Sequence, residues 1–405
     1  MRILAFSHLF PNNVHDTQGL FVLERVRHMG HHADVKVVSP IPWFPLQRLF
    51  PRYARNRDVK RRQSHGNLAV LHPRFPILPG LHVLTAVSQA IALLLDAETR
   101  GLVRDAEVLD VHWTFPDGFA AAILGFCFGK PFVITLRGHE AFYEGQGRLR
   151  EALIRLCLRR AAGVIAVSEE LRQKAIVQAG IAPDRIKTVP NGIDAKRFHP
   201  LDRAASRNAL KLKAEGKLLL SVGRLSPGKG FHLLVDALPS VLREFPDTVL
   251  LIVGEPDPEG GQAYLEKIRL SIERHGLSGH VRFLGKIAPA DLVPWYSACD
   301  CFCLASASEG CPNVVLEALA CGRPVVATAV GGIRDMLEDA RLGIMADPAG
   351  SDFPARISQA LSITWDSEYI FGKMKGQDWD WCGRNALSAL LGFMSPASAG
   401  TGKTA

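Results

Sequence analysis

Residues 306–335 read SASEGCPNVVLEALACGRPVVATAVGGIRD, and this stretch decides the fold that the sequence predicts. A short apolar run of strand length, 300–304, precedes it. Inside the stretch, a polar turn leads to an apolar helical segment over 314–320, and glycine and proline then separate that segment from a second apolar run beginning at Val325. The order of strand, loop, helix and strand predicts a unit of parallel α/β type.

Two glutamates are the chemically informative residues of this stretch. Glu309 falls in the loop before the helix, and Glu317 falls eight positions later, between Leu316 and Ala318. A carboxylate among apolar neighbours requires hydrogen-bond donors, and sugar or ribose hydroxyls are suitable ones. The N–H groups at a helix start also favour an anion such as phosphate. The alternative is a surface glutamate together with a capping glutamate.

The whole stretch resembles a known signature. The letters E-G-C-P-N-V-V-L-E-A over 309–318, followed by G-R-P-V-V-A and then G-G, are similar to the nucleotide-sugar signature of the family-4 retaining glycosyltransferases. The resemblance implies that Glu309 binds hydroxyls of the donor sugar and that Glu317 binds the ribose hydroxyls. It also implies that the residues around the helix start line the donor site, namely Gly310, Cys311, Pro312 and Asn313.

The resemblance extends over nearly the whole chain and implies the GT-B fold. This is an α/β architecture of two Rossmann-like domains whose parallel sheets face each other across a cleft. We expect an N-terminal acceptor-side domain over 1–198 and a C-terminal nucleotide-sugar-binding domain over 199–370. A final helix over about 378–394 is expected to pack back on the first domain, and the small polar residues 395–405 are expected to be disordered.

A glycine-rich loop follows the predicted strand 218–222. It reads GRLSPGKG over 223–230 and lacks the G-x4-G-K-[ST] order of a Walker A loop. Arg224 and Lys229, flanked by glycines, can reach both phosphates of a nucleotide diphosphate while backbone N–H groups assist. The loop also resembles the G-R-L-x-x-x-K-G loop of the same family. Two ordinary surface cations are the alternative interpretation.

The first half begins with a βαβ pattern but lacks the G-x-G-x-x-G fingerprint of dinucleotide-binding folds. Family members carry a Gly-Gly pair in the first loop, where this chain has only Gly19. That glycine either lets the backbone approach a phosphate or is a plain turn glycine. Arg137 occupies the position of the family's active-site histidine, and His139 follows it. Arg137 would stabilise the leaving phosphate, whereas His139 would contact the sugar or acceptor, or cap its loop.

Charge is unevenly distributed along the 405 residues, whose formal net charge is +8. Residues 1–200 hold 27 Lys and Arg against 17 Asp and Glu, whereas residues 201–405 hold 21 against 23. The most basic stretch is 47–62, and no nucleic-acid motif accompanies it. It is interpreted either as a solvated loop or as a surface that docks on anionic lipid head groups. Its cations are Arg48, Arg52, Arg55, Arg57, Lys60, Arg61 and Arg62.

Other features narrow the class of protein. The eight cysteines are scattered, which favours a reducing compartment over a disulfide framework. The N-terminal residues read as a strand and not as a signal peptide, and no apolar run reaches the ~18–20 residues of a spanning helix. We therefore expect a cytoplasmic protein, with peripheral attachment to the inner face of the membrane as a hypothesis.

Together these patterns predict a transferase that moves a hexosyl unit from a nucleotide diphosphate sugar to an acceptor hydroxyl with retention at the anomeric carbon. The resemblance implies catalysis without a metal or another cofactor, and no Asp-x-Asp motif occurs within 223–332. The expected acceptor is a lipid-linked or cell-surface glycan precursor. Two alternatives stay open, a nucleotide-sugar 2-epimerase on the same fold and a non-catalytic sugar-nucleotide-binding protein. The missing dinucleotide fingerprint disfavours a dehydrogenase.

Overall fold

The computed structural model describes residues 1–77, 82–138, 147–258 and 260–395. His139 and nearly all of the predicted tail lie outside these ranges. The chain divides into two compact units, one formed by Met1–Asn191 together with the chain from Trp379 onward, and the other by Gly192–Asp378. Each unit is an α/β domain with its own parallel sheet, which confirms the two Rossmann-like domains expected from the sequence.

The first unit contains an eight-stranded sheet and a separate two-stranded sheet. Its strands are β1 (Arg2–Phe6), β2 (Asp34–Val38), β3 (Ile41–Trp43), β4 (Arg62–His65), β5 (Leu68–Leu71), β6 (Arg74–Pro76), β7 (Val108–Val111), β8 (Phe132–Leu136), β9 (Gly163–Ala166) and β10 (Ile186–Thr188). The large sheet has the order β10-β9-β8-β7-β1-β2-β5-β4, in which β4 alone runs antiparallel to its neighbour, and β3 pairs with β6. The central strands are buried along their length, as expected for a parallel sheet covered by helices.

Seven helices precede the boundary between the units in the described part of the first unit. They are α1 (Leu20–Met29), α2 (Pro51–Ala54), α3 (His82–Leu95), α4 (Ala97–Asp105), α5 (Phe119–Phe128), α6 (Arg148–Arg160) and α7 (Glu169–Ala179). Two of them begin with side-chain caps, since Asp96 accepts from the Thr99 N–H in α4 and Ser168 accepts from the Leu171 N–H in α7. No helix in the described ranges combines the length and the apolar character needed to cross a membrane.

The second unit is built on a six-stranded, entirely parallel sheet. Its strands are β11 (Leu218–Val222), β12 (Val249–Val253), β13 (Val281–Gly285), β14 (Cys301–Leu304), β15 (Val325–Thr328) and β16 (Gly343–Ala346), in the spatial order β13-β12-β11-β14-β15-β16. Its helices are α8 (Arg203–Ala209), α9 (Phe231–Glu244), α10 (Gly261–Arg274), α11 (Val293–Ala298), α12 (Asn313–Ala320), α13 (Ile333–Met336), α14 (Phe353–Ser362) and α15 (Ser367–Met374). The stretch 306–335 therefore has the predicted order, because β14 precedes it and it contains α12 and β15.

The last helix, α16 (Trp379–Met394), belongs to the first unit. Its buried face joins the apolar cluster that includes Val26 of α1 and Ile165 of β9. The Phe393 ring lies against Gly163, where an added Cβ would come 2.2 Å from the ring. The residues that α16 contributes to this core are Trp379, Cys382, Ala386, Ala389, Leu390 and Phe393.

The boundary between the units falls at 191/192, earlier than the sequence-based boundary at 198/199. Ile193 and Phe198 explain the difference, because both are buried in the apolar core of the second unit. The Ile193 N–H also donates to the Gln377 carbonyl. The first and last residues of the second unit therefore lie close together.

Candidate functional site

Lys229 and Glu309 meet at one edge of the second sheet. Lys229 lies in the loop after β11, and Glu309 lies in the loop after the neighbouring strand β14. Lys229 Nζ donates to Glu309 Oε1 over 2.5 Å, and Ser306 Oγ donates to the same oxygen over 2.6 Å. The Glu309 side chain is 10% exposed and that of Lys229 is 32% exposed. The carboxyl ends of parallel neighbours thus bring a cation and a carboxylate together where open α/β sheets bind ligands.

Two glycines allow the backbones around this pair to approach closely. Gly230 has a φ of +65°, and a Cβ there would lie 1.9 Å from the Ala305 carbonyl oxygen. Gly331 has a φ of +53°, and a Cβ there would lie 1.8 Å from the Glu309 carbonyl oxygen. No side chain fits either place, so the loop that carries Lys229 and the loop that carries Glu309 both depend on glycine.

Gly230→Ala is expected to disrupt the Lys229 loop, whereas Gly228→Ala is expected to be tolerated. The first change adds a methyl group against a backbone carbonyl in a left-handed conformation, and the second adds one where no atom lies within 4 Å. Strain of 1–3 kcal/mol should weaken binding of a nucleoside diphosphate about tenfold or more in Gly230→Ala and lower its melting temperature. Calorimetric titration and thermal unfolding measure both effects, and equal behaviour of the two variants would contradict the prediction.

Arg224 lies in the same loop as Lys229 and pairs with Asp257. Its NH1 donates to Asp257 Oδ2 over 3.3 Å, and its side chain is 64% exposed. An exposed ion pair of this kind contributes little stability and exchanges readily. Arg224 is therefore placed at the sheet edge, as predicted from the loop, with a carboxylate partner that the sequence did not reveal.

Glu317 pairs with Tyr296. Tyr296 OH donates to Glu317 Oε2 over 2.8 Å, and the Tyr296 side chain is fully buried. Burial raises the pKa of Glu317 from its ordinary value of 4.5 to about 7, against the hydrogen bond from Tyr296 and the charge of Arg197, which both lower it. A carboxylate held in this state gains from further hydrogen-bond donors, as the sequence analysis expected of a ribose-binding residue.

The four residues between Glu309 and the second turn of α12 lie where the sequence placed them. Gly310 and Pro312 are buried, whereas Cys311 and Asn313 are partly exposed. Pro312 occupies the N-cap position of α12, and no side chain caps this helix start. The Gly310 carbonyl accepts from the Gly332 N–H, which ties the start of α12 to the G-G pair of the signature. The structure therefore presents a helix N-terminus beside Glu309, an arrangement suited to an anion.

Arg137 belongs to a buried polar network in the first unit. It follows β8 and is 7% exposed. Its NH1 donates to Asn191 Oδ1 over 3.0 Å, and its NH2 lies 2.7 Å from His112 Nδ1. A guanidinium only donates, so His112 Nδ1 accepts and the imidazole is neutral. Burial lowers the pKa of His112 to about 4, consistent with this state. The guanidinium also lies over the ring of Phe21.

Asp110 contributes the negative charge of this network. Arg25 NH2 lies 3.3 Å from Asp110 Oδ1, and His112 Nε2 lies 3.2 Å from Asp110 Oδ2. Burial raises the pKa of Asp110, but Arg25, His112 and Arg137 together hold it well below its ordinary value. All these groups are nearly inaccessible to solvent. The sequence analysis identified Arg137 but none of its partners.

A contact between Asp117 and His8 in the first unit was also missed. Asp117 is fully buried and accepts from the His8 backbone N–H over 2.8 Å, from His8 Nδ1 over 2.8 Å and from Gln89 Nε2 over 2.7 Å. Burial raises the pKa of Asp117, but these donors bring it below its ordinary value. The His8 ring packs against Trp113 and its side chain is 25% exposed. With Nδ1 on Asp117, Nε2 is the ring atom left to face a ligand.

Gly19 has a local structural explanation. Its φ is +66°, it forms the N-cap of α1, and a Cβ there would lie 2.2 Å from the Leu9 carbonyl oxygen. This close approach requires glycine whether or not a phosphate binds nearby. His139, the other candidate of the first unit, lies outside the described residues.

The predicted basic surface is partly neutralised within the first unit. Arg61 NH2 lies 2.5 Å from Asp96 Oδ1, and Arg62 Nε lies 2.7 Å from Glu98 Oε1. Both carboxylates belong to the start of α4. The side chain of Arg52 lies outside the described part of the chain. The other cations of the stretch are exposed: Arg48, Arg55, Arg57 and Lys60.

Family models match both units of the chain. The model "Glycosyltransferase Family 4" matches residues 21–197, and "Glycosyl transferases group 1" matches residues 202–369. A D-inositol 3-phosphate glycosyltransferase of Frankia alni is 36% identical over 228 residues, which are 53% of this chain and 55% of that protein. The chain thus spans about half the length of the inositol-phosphate relatives it matches. A putative teichuronic acid biosynthesis glycosyltransferase of Bacillus subtilis is 29% identical over 83% of both chains.

Solved structures share the fold at lower sequence identity. Sucrose-phosphate synthase from Thermosynechococcus elongatus has a TM-score of 0.75 at 20% identity, covering 96% of this chain and 98% of its own. Anabaena HepE, crystallised in complex with UDP and glucose, has a TM-score of 0.72 at 22% identity, covering 96% and 99%. The chain therefore belongs to the family-4 glycosyltransferases with the GT-B fold.

Proposed function

We propose that the chain is a retaining glycosyltransferase that moves a hexosyl unit from a nucleotide diphosphate sugar to an acceptor hydroxyl, without a metal or another cofactor. The contact between Lys229 and Glu309 is the observation that carries this proposal. It sets a cation suited to a diphosphate beside a carboxylate suited to sugar hydroxyls, next to the start of α12. The complexes of HepE with UDP and with UDP-glucose support the same class of donor.

Each candidate residue of the second unit has one role in this proposal. Lys229 and Arg224 stabilise the negative charge that grows on the leaving diphosphate as its bond to the anomeric carbon breaks. Glu309 accepts hydrogen bonds from the donor sugar, and Glu317 accepts them from the ribose. The residues around the start of α12, namely Gly310, Cys311, Pro312 and Asn313, border the donor between these two carboxylates.

Lys229 and Glu309 can bind the donor while they keep their contact with each other. The ammonium group carries three donors, so Lys229 can contact a phosphate while it keeps one hydrogen bond to Glu309. Glu309 is also held by Ser306, which keeps its carboxylate in position when the lysine is shared. Arg224 exchanges its exposed contact with Asp257 for a phosphate at small cost.

The first unit supplies the acceptor side of the proposal. His8 Nε2 would accept a hydrogen bond from an acceptor hydroxyl, because Asp117 fixes its ring and its tautomer. Arg137 and His139 remain the candidates for contact with the donor phosphate and the reacting sugar. Arg137 already holds His112 and Asn191, so a phosphate would have to share its guanidinium with these residues.

A thermal-shift screen against nucleotide diphosphate sugars tests the donor class. A ligand that binds only the native state raises the melting temperature, so one nucleotide and sugar combination should raise it and the others should not. Lys229→Ala should lose the shift. Failure of every nucleotide diphosphate sugar to stabilise the wild-type chain would overturn the proposal.

Turnover with the selected donor separates the remaining functions. Transfer that requires an acceptor and gives a product with the donor's anomeric configuration by NMR supports a retaining glycosyltransferase. Donor conversion without an acceptor supports the 2-epimerase, and binding without turnover across acceptor extracts supports a non-catalytic binding protein. Full activity after chelation is expected if no metal takes part.

The proposed acceptor is a lipid-linked or cell-surface glycan precursor, reached at an anionic membrane face. An exposed apolar surface lies beside the basic stretch, with Leu46 72% exposed, Leu49 73% and Phe50 45%, next to Arg48. The exposed side of α3 also carries apolar side chains. Its residues are Leu84, Val87, Ile91 and Leu95. Both parts flank one small core formed by Phe44, Phe75 and Ile77 with Tyr53 and Ala92. Exposed apolar groups interleaved with cations favour a lipid interface.

Leu49→Glu is therefore expected to abolish binding to vesicles that contain anionic lipid. The wild-type chain should co-sediment with such vesicles at low salt and dissociate as salt rises, because each basic residue near the surface contributes about 1 kcal/mol. Leu270→Glu is the matched control, since Leu270 is 59% exposed on α10 of the second unit. Indifference of the wild-type chain to anionic lipid would contradict the prediction.

A further inference from the structure

Two histidines and one aspartate converge in the first unit. His28 lies near the end of α1, His31 follows this helix, and Asp380 lies in the first turn of α16. One potential ligand atom from each residue lies within 4.8 Å of those from the other two. Asp380 Oδ1 lies 3.9 Å from His28 Nδ1 and 3.7 Å from His31 Nδ1. The cluster joins two helices that are more than 300 residues apart in the chain.

These separations suit a small divalent metal ion. Zn²⁺ binds imidazole nitrogen and carboxylate oxygen at about 2.0–2.1 Å, so the ligand atoms of a tetrahedral site lie roughly 3.4 Å apart. The observed separations are longer, at 3.7 and 3.9 Å from Asp380 Oδ1 and within 4.8 Å for all three atoms. Side-chain rotation of both His31 and Asp380, which are 57% and 30% exposed, is therefore needed to bring the ligand atoms to binding distance. Two imidazoles and one carboxylate are typical Zn²⁺ ligands, whereas Mg²⁺ prefers oxygen ligands alone.

The surroundings orient the ligand atoms toward one another. His28 Nε2 lies 3.8 Å from Glu24 Oε2, and His28 Nδ1 is the ring atom on the Asp380 side of the ring. Arg384 pairs with Asp380 through Oδ2, so the other oxygen of this carboxylate faces the histidines. His32 Nε2 lies 3.2 Å from Asp380 Oδ1 and can donate to the metal-bound carboxylate. Metal-binding residues in proteins are oriented by partners of this kind.

A close contact between the helices holds the two sides of the cluster together. Gly383 lies about one turn after Asp380, and a Cβ there would come 2.9 Å from the backbone of His28 and Met29. Trp379 is buried beside this contact. The α1 and α16 backbones therefore cannot separate at this point without loss of core packing, and the ligand groups are held near their binding positions before a metal arrives.

We propose that His28, His31 and Asp380 form a Zn²⁺ site that links the start of α16 to the end of α1, with water completing the coordination. The helix α16 begins where the chain returns to the first unit. The run Asp378-Trp379-Asp380 is also the one Asp-x-Asp in the sequence, and its second carboxylate belongs to this cluster and not to the donor site. The site does not depend on the proposed function.

The competing interpretation is an ordinary ion-pair cluster between protonated histidines and Asp380. The two differ in their response to pH and to metal. A metal site requires neutral imidazoles, so Zn²⁺ affinity should fall as the pH is lowered from 7.5 to 5.5 and binding should release protons. An ion-pair cluster without metal affinity shows neither effect.

Calorimetric titration of Zn²⁺ into the full chain, without a histidine tag, tests the site. One Zn²⁺ per chain is expected, with a rise in melting temperature that Mg²⁺ does not produce. His31→Ala and Asp380→Asn should each weaken Zn²⁺ binding at least tenfold. His31→Ala changes an exposed ring, so it tests the site even if Asp380→Asn unfolds. His275→Gln, which alters an exposed histidine in the second unit, should change nothing. Absence of uptake at micromolar Zn²⁺, or uptake with undiminished affinity in His31→Ala, would overturn the proposal.

Discussion

Lys229→Ala is expected to lower kcat for sugar transfer by about 100-fold or more. The change removes the cation placed beside Glu309 at the end of β11, and with it the charge that would stabilise the leaving diphosphate. Loss of one such preorganised group typically lowers kcat 10²- to 10³-fold. Steady-state kinetics with the donor found by the thermal-shift screen measure the effect, and Lys229→Arg should retain part of the activity because it keeps the charge.

A double-mutant cycle with Glu309→Gln separates two roles of this lysine. If Lys229 acts only by holding the Glu309 carboxylate, Lys229→Ala should cause no further loss of kcat in the Glu309→Gln variant. If it acts on the diphosphate, a large loss should remain. Lys267→Ala on α10 is the matched control, because Lys267 is an exposed lysine of the same unit. Wild-type turnover in Lys229→Ala would remove this residue from the mechanism.

Glu317→Gln is expected to stabilise the protein at pH 8 and to weaken nucleotide binding. Burial raises the pKa of Glu317 to about 7, so the native state binds this proton more tightly than the unfolded chain, where the pKa is 4.5. The stability that the neutral acid provides is complete below pH 4.5 and is lost as the pH rises through about 7. The charged form therefore costs about 3 kcal/mol at pH 8, and a neutral glutamine avoids this cost while it still accepts from Tyr296.

Denaturant unfolding of wild type and Glu317→Gln at pH 5 and pH 8 measures the first effect. The two proteins should differ little at pH 5 and most at pH 8, with the variant more stable. Calorimetric titration of the nucleoside diphosphate measures the second, and the loss of a charged hydrogen-bond acceptor should weaken binding at least about tenfold. Glu273→Gln, an exposed position on α10, is the control. A variant that is less stable than wild type at pH 8 would contradict the prediction.

The parallel α/β order of the second unit was predictable because its strands are buried on both faces. Such strands read as continuous apolar runs, and glycine and proline mark the turns between them. Lys229 and Glu309 were identified from the loops that follow two apolar runs and from the family resemblance, and in the structure both loops follow neighbouring parallel strands of one sheet. To predict their contact, one would also have needed to know that β11 and β14 are adjacent in the sheet.

The partners of these residues were not predictable, because they come from distant segments that no local pattern connects. Asp257 pairs with Arg224, and Tyr296 with Glu317, through the arrangement of whole elements. His8 and Asp117 are 109 positions apart and meet only because β1 and β7 are adjacent in the sheet. For His8 the one available signal was its position just after β1.

The basic stretch 47–62 shows what composition alone does not predict. Its composition was interpreted as a loop, yet the structure has α2 within it and begins β4 at Arg62. Arg61 and Arg62 pair with acids at the start of α4, which the charge count of the stretch alone could not indicate. Composition predicted that the surface is basic, but the number of cations available to a ligand depends on tertiary contacts.

The position of α16 has a consequence for synthesis of the chain on the ribosome. The apolar core of the first unit takes six side chains from residues after 378, so it is incomplete until the entire second unit has been translated. A nascent chain that ends before Trp379 therefore exposes the surface that α16 covers on α1 and β9. The core of the first unit can therefore be completed only after the sequence of the second unit has been synthesised.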